Sequence, residues 1–225
     1  MTDEPAQPAP GEPKPAESKP AEREPADSKT AEPKTAEPRL RADARRNTEQ
    51  IRRAAIDAFR GRGLAVPLED VAKAAGVSKA TVFNRFGGRI GLIEAVIEQL
   101  VAGELYAVIE HARTIANAGE RVAYYIAAVR ELQYRQPAAN DVLLQMYPES
   151  QQLMAICHVA GEFNAELIAA GHESGELRPE FRTGDLQALI HDGALALKYG
   201  TPPSAADYDR RTTFLLDGIR RPRRE

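Results

Sequence analysis

Apolar side chains between residues 51 and 100 recur three and four positions apart, which is the spacing of one face of an α-helix. The spacing is interrupted where glycine occurs, at Gly61 and Gly63, at Gly76, and at Gly87 and Gly88. The same spacing continues to residue 219, with proline or glycine near each interruption, and no run of alternating β-branched residues appears. The sequence therefore predicts an all-α fold of about nine helices.

The glycines and caps divide the first half into four predicted helices. Thr48 is the expected N-cap of the first helix, which buries Ile51, Ala55 and Phe59 and ends at Gly61. The second and third helices are predicted at 68–75 and 79–86, and a long fourth helix at 89–111. Five more are predicted at 121–135, 140–147, 150–174, 185–199 and 205–219.

Charge is distributed in three blocks, and their borders predict the domain organisation. Residues 1–38 carry five basic and nine acidic side chains, nine of the sixteen prolines and no large apolar residue beyond Met1. Such a segment cannot offset its ordering entropy, so residues 1–40 are predicted to be a disordered tail. Residues 39–92 carry twelve basic and five acidic side chains, which favours nucleic-acid binding by a domain at 41–90. Residues 91–225 are predicted to form a second, acidic helical domain.

The reactive residues exclude several classes of protein. The single cysteine, Cys157, rules out an intramolecular disulfide and a multi-cysteine metal site. The four histidines show no metal-ligand spacing, and no nucleophile with a base is visible, so neither a metal, a cofactor nor an enzyme is expected. No run of about 18 apolar residues and no secretory signal is apparent, so we expect a cytoplasmic protein.

Residues 68–86 carry the strongest functional signal. Val71, Val77 and Val82 are placed to pack two short helices together, and Ala72 is small where the helices cross. Gly76 supplies the positive φ that a tight turn needs. Ser78 is expected to cap the third helix. The pattern predicts a helix-turn-helix whose second helix enters the major groove of DNA.

The exposed face of that third helix combines small side chains with hydrogen-bond donors. Such a face suits close approach to base edges and phosphates. Its residues are Lys79, Ala80, Thr81, Asn84 and Arg85. These charges are also compatible with an ordinary solvated helix face. A basic arm precedes the first helix and contains Arg39, Arg41, Arg45 and Arg46. The arm either contacts DNA, at a phosphate or in the minor groove, or serves only to improve solubility.

The segment resembles the TetR family of transcriptional regulators over roughly 48 residues. The matching residues are Ala54–Phe59, Gly63, Val71 to Gly76, Val77, Ser78, Thr81, Phe86, Gly87 and Arg89 to Leu92. The resemblance implies a cytoplasmic homodimer that binds a palindromic operator and usually represses. It also implies an all-α C-terminal domain that holds a small ligand and the partner subunit.

The resemblance also assigns roles to single residues. Besides the exposed face of the third helix, it implies that Ser78, Phe83 and Arg89 lie at the DNA and that Thr48 contacts a phosphate. Arg89 is the basic residue opening the fourth helix. Two positions depart from the family pattern. Phe83 replaces the usual tyrosine and Pro67 replaces a threonine or serine, so two phosphate contacts are expected to be lost, while Arg85 replaces a common histidine.

Polar residues on the later helices are candidates for lining a ligand cavity, although such residues are more often core fillers. The candidates are Tyr124, Tyr125, Gln133, Met146, Cys157, His158, Asn164 and His191. The helices at 185–199 and 205–219 carry apolar stripes that predict a four-helix dimer interface or, alternatively, a face of the subunit's own core. The stripes are Leu186, Leu189, Ile190, Ala194 and Leu197, then Tyr208, Thr212, Leu215, Leu216 and Ile219.

The sequence therefore predicts a ligand-responsive transcriptional regulator, most simply a repressor. It would bind a palindromic operator as a homodimer and be released by a small-molecule effector. The alternative is a partner-binding or architectural DNA-binding protein without a small-molecule ligand.

Overall fold

The computed structural model describes residues 36–221, with side chains from residue 43 onward. Within that range the chain is all-helical, as predicted, apart from one isolated β-bridge between Leu177 and Arg220. The helices are α1 (Ala36–Arg62), α2 (Leu68–Ala74), α3 (Lys79–Phe86), α4 (Arg89–Ile97), α5 (Gly103–Thr114), α6 (Ala118–Arg135), α7 (Pro137–Leu143), α8 (Gln151–Glu173), α9 (Thr183–Tyr199) and α10 (Ala205–Ile219). A π-helical turn, Glu98–Ala102, joins α4 to α5 without a break. The ten named helices of the described residues therefore form nine separate helical segments.

The start of α1 differs from the prediction. The helix begins at Ala36, so residues 36–40 are helical and do not belong to a disordered tail; residues 1–35 lie outside the described range. Thr48 is consequently inside the helix and is not an N-cap. Its hydroxyl donates to the carbonyl of Ala44 at 2.9 Å. Residues 39–60 contain no glycine or proline, so nothing local stops the helix from extending toward the N-terminus.

The other boundaries mostly agree with the sequence. The last helix has the predicted limits, and α6, α8 and α9 differ from theirs by one to three residues. The helix predicted at 140–147 is wrong in position, because α7 spans Pro137–Leu143. Pro137 follows the end of α6 at Arg135, as predicted, and it also opens α7, because a missing N–H costs nothing in the first turn of a helix.

A single apolar core runs through both domains. The predicted face of α1 is buried, with Ile51, Ala55 and Phe59 fully inaccessible to solvent. Helix α8 is long and apolar enough, by length and composition, to span a membrane. It packs instead against α4, α6, α7 and α9, and buries Leu153, Phe163 and Leu167. Its apolarity is therefore explained by its place in the core.

Gly91 lets the start of α4 lie against the end of α3. A Cβ atom added there would lie 1.8 Å from the carbonyl oxygen of Phe86. We expect Gly91→Ala to lower the free energy of unfolding by roughly 3 kcal/mol, because the end of α3 must move away. Gly218→Ala is the control, since that helical position has no heavy atom within 4 Å and should gain up to about 1 kcal/mol. Urea denaturation measures both, and equal stabilities would contradict this packing.

Candidate nucleic-acid interface

The turn between α2 and α3 has the geometry that its sequence predicts. Gly76 has φ of 67°, a left-handed conformation that strains other residues. The N–H of Val77 then donates to the carbonyl of Ala72 at 2.9 Å. Ser78 caps α3, accepting from the N–H of Thr81 at 3.1 Å, and Val71 and Val82 are fully buried between the helices. The pair is therefore fixed as a helix-turn-helix.

Helix α3 presents to solvent most of the face that the sequence assigns to DNA. Lys79, Ala80, Asn84 and Arg85 are exposed, as are Ser78 and Phe83. Thr81 is half-buried, and its hydroxyl shares a hydrogen bond of 2.8 Å with that of Ser78. Contact of each residue with DNA stays a prediction, but Thr81 is partly committed to holding the cap.

Lys79 is paired in the free protein with Glu69 of α2. The hydrogen bond from Lys79 holds the pKa of that carboxyl below its usual value. Both side chains are more than half exposed, so water and salt screen the pair and it contributes little to stability. A phosphate can therefore replace Glu69 as the partner of Lys79 at low cost.

The arm residues lie on the N-terminal half of α1. Arg45 and Arg46 are exposed, and Arg46 lies 3.8 Å from Asp43, a loose ion pair at the surface. The side chains of Arg39 and Arg41 are outside the described range. Because α1 is helical here, the basic residues are carried by a rigid rod rather than by the flexible arm that the sequence suggested.

Arg89 has a structural task that the sequence did not reveal. Its Nη1 donates to the carbonyls of Leu64 and Val66, each at 2.7 Å, and so ties α4 to the loop between α1 and α2. A DNA contact by Arg89 stays a prediction.

Phe83 is exposed over 57% of its surface, and its ring packs beside Gly88, where an added Cβ would lie 3.2 Å away. The ring is therefore held at the surface without a polar atom to offer a phosphate. We expect Phe83→Tyr to tighten DNA binding about fivefold, the effect of one added hydrogen bond to a phosphate. Fluorescence anisotropy measures the change. Phe83→Leu, which adds no hydroxyl, should show no gain, and an unchanged affinity for Phe83→Tyr would contradict a phosphate near this ring.

Four of the predicted ligand-binding residues meet at one cavity. Tyr125, Cys157, Asn164 and His191 line a space of about 410 Å³ between α6, α8 and α9, to which Leu143 and Gln145 also contribute. Burial raises the pKa of the Cys157 thiol, which donates to the carbonyl of Val142 at 3.3 Å. This cavity is the best candidate for an effector site.

The other four candidates are not at this cavity. Tyr124 contacts the ring of His111, with centroids 4.6 Å apart, and Gln133 is buried and donates to the carbonyl of Ile190 at 2.7 Å. Met146 is exposed, and His158 is exposed beside Glu162. Sequence reasoning missed Gln145, Gln187 and Asp192 in the lining. Gln145 has φ of 52°, a conformation that is unusual for a residue other than glycine. Nothing in the local sequence predicts this conformation.

A buried carboxylate connects the domain of the helix-turn-helix to the helices around the cavity. Asp141 of α7 is 1% exposed. One of its oxygens accepts the N–H of Leu64 at 2.6 Å, and the other is paired with Lys198 of α9. Gly63, with φ of 83°, allows this approach, because a Cβ there would lie 2.6 Å from the carboxylate. Nothing in the local sequence indicated this cluster, since its members are 57 and 77 residues apart.

The part of the chain that the structure describes contains no group of three or more histidine, cysteine, aspartate or glutamate residues that could hold a metal ion. The described candidate sites are thus a surface of donors and apolar groups on α3 and a separate cavity between α6, α8 and α9.

Residues 51–96 match the family model described as "Bacterial regulatory proteins, tetR family". The match covers the C-terminal part of α1, all of α2 and α3, and nearly all of α4. Among curated proteins, the chain is similar to the HTH-type transcriptional regulator AlkX of Mycobacterium tuberculosis, with 29% identity over 158 residues, covering 64% of this chain and 70% of AlkX.

Two solved structures share the fold. The ketosteroid transcriptional regulator KstR2 of Mycobacterium tuberculosis aligns with a TM-score of 0.58 and 19% identity, over 79% of this chain and 96% of KstR2. AibR, solved in complex with isovaleryl coenzyme A and operator DNA, aligns with a TM-score of 0.61 and 16% identity, over 77% of this chain and 97% of AibR. At these identities the likeness concerns the fold.

Proposed function

Because the chain belongs to the TetR family of DNA-binding transcriptional regulators, we propose that it is a repressor that binds a palindromic operator as a homodimer and is released by a small-molecule effector. The observation that carries the proposal is the exposed, basic face of α3, which Gly76 and Ser78 hold in a fixed orientation. AibR, with the same fold, was solved in complex with isovaleryl coenzyme A and operator DNA. This complex supports the proposal that one chain of this fold binds both DNA and an effector.

Dimerisation follows from the size of the reading helix. Helix α3 has eight residues and reaches only one half-site, so useful affinity needs two copies related by a two-fold axis. Six residues of the predicted interface stripes are buried within the subunit and belong to its own core, the alternative that the sequence left open. They are Leu186, Ile190, Ala194, Tyr208, Thr212 and Ile219. The outer faces remain available: Leu195 and Tyr199 on α9 and Phe214 on α10 are exposed large apolar side chains.

We expect Leu195→Glu combined with Phe214→Glu to convert the dimer to a monomer and to weaken operator binding at least about thirtyfold, because two half-sites are no longer engaged together. Both side chains are exposed in the subunit, so its own fold should persist. Analytical ultracentrifugation and anisotropy measure the two effects. Thr213→Glu, an exposed neighbour on α10, is the control, and a dimer that survives the double change would contradict this interface.

Effector release needs a connection from the cavity to α3, and α7 supplies it. Leu143 and Gln145 line the cavity, while Asp141 holds the loop at Leu64. Arg89 joins that loop to the start of α4, directly after α3. A ligand that displaces the end of α7 therefore acts on the DNA-binding domain, provided that it binds the displaced form more tightly.

The proposal is tested by titrating the full chain with duplex DNA from the region flanking its own gene. The expected result is one dimer per site and a clear preference over scrambled duplex at moderate salt. Equal affinity for both duplexes, with a strong dependence on salt, would favour the alternative of an architectural DNA-binding protein.

A further inference from the structure

The cavity between α6, α8 and α9 has mostly apolar walls. Leu143, Ala160, Ala188 and Ile190 contribute aliphatic surface. Gly161 of α8 also lines it, and a Cβ added at Gly161 would meet no atom within 4 Å, so this position is open space. With a volume of about 410 Å³, the cavity accepts a small organic molecule rather than a cofactor-sized one.

Asn164 lines this cavity and carries an unsatisfied acceptor. The residue is 5% exposed, and its Oδ1 has no hydrogen-bond partner. It follows Gly161 by three positions on α8, so both lie on the same helix face toward the cavity. Buried acceptors in folded proteins are nearly always paired, so the site lacks a donor that a bound molecule would bring.

Tyr125 supplies a donor to the same cavity. It is 1% exposed, and its ring is held edge-on against Phe163, with centroids 5.1 Å apart. Burial raises the pKa of the phenol, so its hydroxyl stays protonated and neutral. The inner wall thus offers one acceptor and one donor, both uncharged.

Formal charge is nearly absent from the cavity. Neither lysine nor arginine occurs among the described residues that line it, and the acidic residue there, Asp192, is exposed at the rim beside His191. A carboxylate or phosphate would lose its hydration without gaining a cation, and Asp192 in the lining would repel it. An ammonium group would likewise find no buried carboxylate inside.

We propose that the effector is an uncharged molecule with an apolar body and a hydroxyl or N–H group that donates to Oδ1 of Asn164. The inference rests on the proposed function, since it names the ligand class of that same site. It distinguishes this chain from AibR, whose ligand in the solved complex is a coenzyme A thioester, because the phosphates of such a ligand have no cation here.

The test uses three probes that differ only in their head group: 1-hexanol, hexanoate and hexylamine at neutral pH. Calorimetric titration of the full chain without DNA should show binding of 1-hexanol, with hexanoate and hexylamine at least about tenfold weaker. Because no DNA is present, failure here leaves DNA binding intact, and failure of DNA binding does not affect this result. Hexanoate or hexylamine binding as tightly as 1-hexanol, or no binding of 1-hexanol, would overturn the ligand class.

Two variants locate the contact. Asn164→Leu keeps the size of the side chain and should weaken 1-hexanol binding about tenfold. Asn164→Asp places a carboxylate at the same point and should shift the preference toward hexylamine, which keeps the assignment testable if the leucine variant does not fold. Gly161→Leu, which fills open space, should abolish binding of all three probes. Unchanged 1-hexanol affinity in the Asn164 variants would overturn the role of this amide.

Discussion

Replacing both Lys79 and Arg85 with alanine is expected to weaken operator binding roughly a thousandfold, since a dimer loses four contacts worth about 1 kcal/mol each. Both side chains are exposed on α3, and Lys79 is joined to Glu69 only by a screened surface pair, so the fold should be unaffected. Affinity for unrelated DNA should fall much less, because the other basic residues of the domain remain.

Anisotropy titrations with operator and scrambled duplexes measure this difference, and circular dichroism checks the fold. Lys73→Ala is the matched control, because Lys73 is an exposed lysine of α2 outside the reading helix. If the double variant weakens binding to both duplexes by the same factor, α3 carries charge but does not read sequence.

Asp141→Asn is expected to lower the free energy of unfolding by roughly 3 kcal/mol, because Lys198 would be left largely buried beside a neutral amide. The same change weakens the hydrogen bond that residue 141 accepts from the N–H of Leu64. The loop before α2 is then held less firmly, so operator affinity should fall as well. Urea denaturation and anisotropy measure the two quantities. Asp217→Asn, an exposed position on α10, is the control and should change neither.

A double-mutant cycle separates the ion pair from the loop contact. Adding Lys198→Met to Asp141→Asn removes the unpaired cation, so the double variant should lose less stability than the sum of the single changes. Operator affinity should not recover, because the loop is still held less strongly. Full recovery of both quantities would contradict a role for Asp141 in coupling α7 to the DNA-binding domain.

The local parts of this structure could be predicted from the sequence. Gly76 and Ser78 act on their nearest neighbours, so the turn and the cap of α3 follow from residue type and spacing alone. The same logic was wrong for Thr48, because a capping residue does not start a helix when the preceding residues also favour helix. Periodicity located α9 and α10, but it cannot tell whether an apolar stripe faces a partner or the subunit's own core. The structure decides for the core at six of the ten stripe residues.

The non-local parts could not be predicted. Asp141 meets Leu64 and Lys198 only when α7 packs between α1 and α9, and no spacing in the sequence encodes that arrangement. Asn164 was a reasonable candidate by type, yet its unsatisfied Oδ1 is a property of the packed cavity. Arg89 was assigned to DNA by resemblance, while its carbonyl partners depend on the course of the loop at Leu64 to Val66.

We propose that α3 reads a specific, two-fold symmetric DNA sequence. Selection by the full chain from a random duplex pool at moderate salt tests it most directly. We expect two inverted copies of one half-site whose centres lie about 34–36 Å apart, or a multiple of that distance. A pool that shows no enriched sequence after repeated rounds, although protein still binds it, would contradict the claim.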